Sequence, residues 1–202
     1  AYHSSPAWSP DGRWIVYTAD EDNQRIQLGI VNVQTGEEYM LTNGPMYLDP
    51  AWSPDGSKLA YVSTEPSGYF NIYVRPIRDG AWDGPAIPLT KDNRYPRDRL
   101  YFGAWDMHIE PAWTPDGKEL LFLSNREVPL GSGDLWRMPA VENGIQDARR
   151  VLREQSLYRA RPDVSIDGKR FIYSSSGGAA DAFHHLYVLP VEGGNSQIAY
   201  AV

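Results

Sequence analysis

Cysteine is absent from the 202 residues, which excludes a disulfide framework, thiol chemistry and any cysteine-ligated metal. That absence is compatible with a periplasmic or secreted address, which is the compartment expected. Histidine is scarce: His3, His108, His184 and His185 are the full set. A zinc site needs three or four converging ligands, so no metal site and no cofactor are expected. No basic stripe accompanies the net charge of −7, which argues against nucleic acid as a partner. No apolar run approaches the roughly 20 residues of a membrane span. Helical periodicity is missing almost everywhere; Asn143–Glu154 holds at most a turn or two and is read as none. No signal peptide is visible, and Ala1 stands within what reads as a repeat lead-in, so a piece of a longer protein is expected.

What the chain does have is glycine (18), proline (16), tyrosine (13) and tryptophan (7), the composition of many short strands joined by tight turns. It also repeats itself. "PAWSPDG" stands at Pro6–Gly12 and Pro50–Gly56, and "PAWTPDG" at Pro111–Gly117. A fourth, degraded copy starts at Pro162 as "PDVSIDG", with Asp163 for alanine, Val164 for tryptophan and Ile166 for the second proline. Asp-Gly between two apolar runs is a strong hairpin signal, because glycine supplies positive φ cheaply. After each turn comes a β-branched and aromatic run, such as Trp14-Ile15-Val16-Tyr17, the composition of a buried strand. A third strand ("RIQLGIVNV", "FNIYVRPI", "DLWRMP", "HLYVLPV") and a fourth ("EYMLT", "AIPLT", "RRVLR", "SQIAYAV") follow in every copy. Four sequential hairpin-linked strands per unit make one blade of a β-propeller.

The fold class expected is therefore all-β: four four-stranded antiparallel blades, part of a larger, about six-bladed propeller. The blades cover about 1–43, 44–91, 105–154 and 155–202, with 92–104 as an inserted loop. Trp8, Trp52 and Trp113 recur together with the turn, so they are read as packing residues rather than a ligand-stacking ring. Asp11, Asp55, Asp116 and Asp167 are likewise turn residues before they are metal ligands.

This repeat resembles the TolB-like propeller family, whose hallmark is the same proline-alanine-tryptophan-serine-proline-aspartate-glycine turn. "YFGAWDMHIEPAWTPDG", "LSNREVPLGSGDLWRM" and "RARPDVSIDGKRFIYSSSGGAADAFHHLYVLPVEGG" further resemble the N-terminal propeller of large bacterial proteins that carry an amidohydrolase domain. The resemblance implies a non-catalytic propeller in front of a metal-dependent hydrolase. In the fourth copy, the loss of tryptophan puts packing against the next blade in question.

Catalytic signatures are missing. "GSGD" at Gly131–Asp134 is not the Gly-x-Ser-x-Gly of a serine hydrolase elbow, and His184-His185 lacks the His-x-His spacing of an amidohydrolase. Catalysis by this chain is not expected. Two sets of binding candidates remain. The residues just before each repeat's first proline are Ser5, Asp49, Glu110 and Arg161; three before it stand His3, Tyr47, His108 and Arg159. Side chains alternate along a strand, so both columns are expected on one side, converging at a mouth of the propeller channel. They form either a polar binding site or simply a wet mouth that holds no ligand. If the mouth is wet, alanine at Asp49 and Glu110 leaves stability nearly unchanged. The inserted loop offers Arg94, Arg97, Arg99, Tyr101 and Trp105, either as a recognition surface for a partner or anionic peptide end, or as a surface loop whose aromatics pack on the adjoining blade. Open propeller edges could also pair chains with one another.

The functional expectation is a module for protein–protein interaction, or one gating access to an adjoining amidohydrolase domain. The alternatives are a stand-alone periplasmic binding propeller and the propeller of a prolyl-oligopeptidase-like peptidase.

Overall fold

The computed structural model describes residues 2–20, 25–91, 107–126, 133–152, 159–176, 184–192 and 195–200. Its strands begin where the repeated turn dictates. In the first copy Ser9 Oγ donates to Asp11 Oδ1 at 2.6 Å, and the same carboxylate accepts the Arg13 N–H at 3.0 Å. Ser9 Oγ in turn accepts the Trp14 N–H at 2.9 Å, and Gly12 takes φ +70°. Ser53-Asp55, Thr114-Asp116 and Ser165-Asp167 repeat the bond at 2.6 Å. The serine hydroxyl, followed by Arg13, holds the Asp11 carboxyl down at about 2. The other three turn aspartates are lowered by the same hydroxyl bond first. These carboxylates are spent on the turn, as their place in the repeat implies.

Each turn links two strands of an antiparallel blade. The first blade is β1 (Tyr2–Trp8), β2 (Trp14–Asp20), β3 (Ile26–Asn32) and β4 (Glu38–Met40), paired in that order. The second runs β5 (Tyr47–Trp52), β6 (Lys58–Ser63) and β7 (Asn71–Arg78). There Asp79-Gly80, both at positive φ, turns first into the two-residue β8 (Ala81–Trp82), and β9 (Ile87–Pro88) then takes the outer place on β7. The third comprises β10 (His108–Trp113), β11 (Glu119–Ser124), β12 (Asp134–Pro139) and β13 (Arg149–Arg150). The fourth comprises β14 (Arg159–Val164), β15 (Arg170–Ser176), β16 (His184–Pro190) and β17 (Gln197–Tyr200). The protein is thus an all-β, four-bladed propeller. One departure from the sequence reading is a 3₁₀ turn at Gly144–Asp147. Periodicity does not reveal it, because it is held from outside: buried Ile145 joins the core between blades, and its N–H reaches Leu89 O at 3.2 Å.

The cores lie in the seams between blades. Val16, Leu28 and Ile30 of the first blade pack on Leu59 and Tyr61 of the second. Ala60, Val62, Ile72 and Val74 pack on Leu120, Phe122 and Trp136 of the third, and Leu121, Leu123 and Leu135 on Phe171, Tyr173 and Leu189 of the fourth. Each valine, leucine, isoleucine or phenylalanine among them contributes about 1.5–3 kcal/mol by leaving water. The repeat tryptophans stitch these seams backward: Trp52 Nε1 donates to Ala7 O at 3.2 Å, and Trp113 Nε1 to Ala51 O at 3.0 Å. The residue that replaces tryptophan in the fourth copy, Val164, therefore bears on packing against the preceding blade, not the next one. It still packs there, half-buried against the core it shares with the third blade. Beyond the fourth blade, Ile172 and Leu186 are exposed, although their counterparts Leu121 and Leu135 are fully buried. Among the described residues the fourth blade makes no strand contact with the first comparable to those between successive blades.

Candidate functional site

The first strands β1, β5, β10 and β14 pack on one another in succession and line the channel. All four carry the same irregularity. Their register slips between Ser4 and Ala7, Leu48 and Ala51, Ile109 and Ala112, and Ala160 and Asp163. At each slip a non-glycine residue takes positive φ: Ser5 (+49°), Asp49 (+52°), Glu110 (+52°) and Arg161 (+54°). Such a bulge bends the strand and re-aims a side chain; holding a non-glycine residue there costs on the order of 1 kcal/mol or more.

The bulge overturns the expectation that the two polar columns share one side. Ser5, Asp49, Glu110 and Arg161 do come together, along a channel cavity of about 700 Å³ that Asp163 also lines. His3, Tyr47, His108 and Arg159 are absent from its wall. The His3 ring lies exposed on Tyr17, centroids 4.8 Å apart. Tyr47 donates its hydroxyl to the Glu65 carboxylate, and burial, followed by that carboxylate, pushes its ionisation up. His108 is fully buried, its Nδ1 3.0 Å from Ser124 Oγ. Arg159 is buried as well, with Nη1 donating to Asp134 Oδ1 at 2.8 Å and to Gly133 O at 2.7 Å. Alternation by two places a column correctly only while the strand stays regular.

Within the channel the bulge residues form a relay from blade to blade. The Asp49 carboxylate accepts the Glu110 N–H, and Glu110 Oε2 accepts the Arg161 N–H. Ser5 Oγ reaches Asp49 Oδ1 at a long 3.4 Å, and the Asp49 N–H donates to Thr18 Oγ1 at 3.2 Å. Burial raises the Asp49 carboxyl above its ordinary value, partly offset by the Glu110 N–H. Burial also raises Glu110, with the Asp49 charge adding to it. A cation arriving here would lower the energy of both charged forms.

The relay changes what mutation should do. Glu110→Ala removes the carboxylate that accepts the exposed Arg161 N–H, leaving that group to water, and is expected to cost about 1 kcal/mol. Glu110→Gln keeps an acceptor and should stay within about 0.5 kcal/mol of the parent. Urea unfolding of both variants checks this, and equal midpoints would refute the relay. Sequence reasoning could have singled out Asp163, which replaces the repeat's alanine. Nothing in the letters marks Thr18.

The loop candidates Arg94, Arg97, Arg99, Tyr101 and Trp105 lie outside the described residues. Among the described residues no three metal-capable side chains cluster, and no helix is long and apolar enough to cross a membrane.

A comparison with curated proteins finds no match. Among solved structures, TolB from Acinetobacter baumannii matches all of this chain with 21% identity and a TM-score of 0.72; the match spans 44% of that protein. Putative TolB from Agrobacterium tumefaciens matches all of it at 18% identity and a TM-score of 0.53, over 81% of that chain. A puromycin-hydrolyzing peptidase from Mycobacterium tuberculosis matches all of it at 16% identity and a TM-score of 0.64, over 29% of that chain. At these identities the likeness is one of fold. The TolB beta propeller domain family matches residues 2–198, nearly the whole repeat array, and the chain belongs to that family.

Proposed function

We propose that this chain is a non-catalytic binding module whose channel takes a cationic segment of a partner protein. The channel wall carries the reading: Asp49, Glu110 and Asp163 face it against one guanidinium, Arg161. Two of the three carboxylates stand in surroundings that disfavour their charge. A lysine, arginine or amino terminus entering the cavity relieves that penalty, and a channel of opposite sign also speeds encounter. The resemblance of "YFGAWDMHIEPAWTPDG" to amidohydrolase-linked propellers supports a place beside a hydrolase domain, where the module would shape access. The match to a puromycin-hydrolyzing peptidase over 29% of that protein supports a hydrolytic neighbour of some kind. A periplasmic or secreted location suits the TolB-like fold and the lack of cysteine.

Fluorescence anisotropy with labelled lysine-rich, neutral and glutamate-rich octapeptides tests the channel. The lysine-rich peptide is expected to bind most tightly, and the D49N/E110Q double variant to weaken it by roughly tenfold or more. Equal binding of all three peptides would sink the proposal.

A further inference from the structure

A second cavity, of about 840 Å³, opens at the seam between the first two blades and shares no lining residue with the channel. Its floor is aromatic. Tyr61 and Tyr73 stack with centroids 5.9 Å apart and planes 16° from parallel, and Tyr47 lies 5.9 Å from Tyr61. Two opposite charges stand on the same wall. Tyr47 donates its hydroxyl to the Glu65 carboxylate, and Tyr73 donates to the Glu65 backbone carbonyl, which anchors that residue twice. Gly44 makes room for it: a Cβ there would come within 2.6 Å of Glu65 Oε1 and 2.9 Å of the Tyr47 ring. Arg75 is fixed as firmly. Its guanidinium lies 4.7 Å over the Trp82 ring, and its Nε donates to Gly84 O at 2.8 Å.

Glu65 and Arg75 both line the cavity, yet among the described residues they form no ion pair with each other or with any other group. Among the described residues no hydrogen bond occupies the Nη donors of Arg75. A preorganised anion and cation held apart over an apolar floor suit a ligand that is itself dipolar. A guanidinium edge takes a carboxylate through two parallel N–H bonds, and a carboxylate takes an ammonium. Pockets of several hundred Å³ hold ligands of small-molecule size.

We propose that this seam binds a short zwitterionic peptide with an apolar side chain. The Arg75 Nη groups hold its terminal carboxylate, Glu65 holds its terminal ammonium, and the Tyr47, Tyr61 and Tyr73 rings receive the side chain. Burial pushes the Tyr61 hydroxyl up to about 12, so it stays protonated in the cavity that it lines.

The test is a titration of the full ¹⁵N-labelled chain with glycyl-phenylalanine, its N-acetyl form and its C-terminal amide. The free dipeptide is expected to shift the amides of Glu65 and Arg75 and of Thr42 and Asn43, which also line the cavity, with either blocked form weaker by roughly tenfold or more. Arg75→Gln should bind the free dipeptide and its amide equally, which general damage to the cavity would not produce. Equal affinity of all three ligands for the parent chain overturns the proposal. So does the absence of shifts at these residues up to about 10 mM ligand. Cationic peptides in the channel shift Ser5 and Arg161 instead, so failure at one site is read separately from failure at the other.

Discussion

Asp134→Ala is expected to destabilise the protein by about 3–5 kcal/mol, the cost of breaking a buried ion pair by removing one partner. Asp134 is 3% exposed and Arg159 1% exposed. The carboxylate takes Arg159 Nη1 at 2.8 Å and Arg150 Nη1 at 3.2 Å. Asp134 belongs to the third blade and Arg159 to the fourth, so this pair pins one blade to the next across a seam that lacks the repeat tryptophan. Removing the carboxylate takes the Asp134 charge away from a fully buried guanidinium that also donates to the Gly133 carbonyl at 2.7 Å, and a neutral carbonyl does not replace an anion. The triple replacement Asp134→Leu with Arg159→Met and Arg150→Met removes all three charges and should recover most of the loss, because apolar residues of similar volume are often as stable as a buried ion pair or triad. Urea midpoints for the single and triple variants decide it. A loss below about 1 kcal/mol in Asp134→Ala would show that water reaches the pair.

The fate of Arg159 also shows how far the letters carry. The turn is written out in full, because aspartate, glycine and a serine or threonine two residues before the aspartate are the only groups the hairpin needs, and they recur four times. Four strands per blade follow from the apolar runs. The channel wall is legible by half. Position in the repeat singles out Ser5, Asp49, Glu110 and Arg161, but the bulge that aims them inward rests on positive φ at four unlike non-glycine residues. No shared side chain marks such a place. The same bulge sends His108 and Arg159 into the packed interior, and their buried partners Ser124 and Asp134 stand 16 and 25 residues further on or back. The seam cavity joins Asn43, Glu65 and Arg75, residues from loops and strands of two blades; only the packing of one blade on another brings them together.

Trp113→Ala is expected to cost about 3–5 kcal/mol, whereas Trp8→Ala, the same letter of the same repeat, should cost no more than about 1 kcal/mol. The difference lies in the neighbours. Trp113 is 8% exposed, sits in the core with Ala60, Val62 and Leu120, and donates to Ala51 O at 3.0 Å. Trp8 is 58% exposed, since no described blade stands behind it. Its truncation removes apolar surface that is already largely wet. Chemical unfolding of both variants, with equal denaturant slopes, gives the comparison. The outcome also bears on the open faces of the array. If Trp8→Ala costs as much as Trp113→Ala, Trp8 is covered in solution. The repeat's own geometry then names what covers it: a blade offering a main-chain carbonyl where Ala7 and Ala51 offer theirs. Light scattering on the same samples would show whether a second copy supplies that blade, because the exposed Ile172 and Leu186 face of the fourth blade corresponds to the surface that receives a repeat tryptophan at the inner seams.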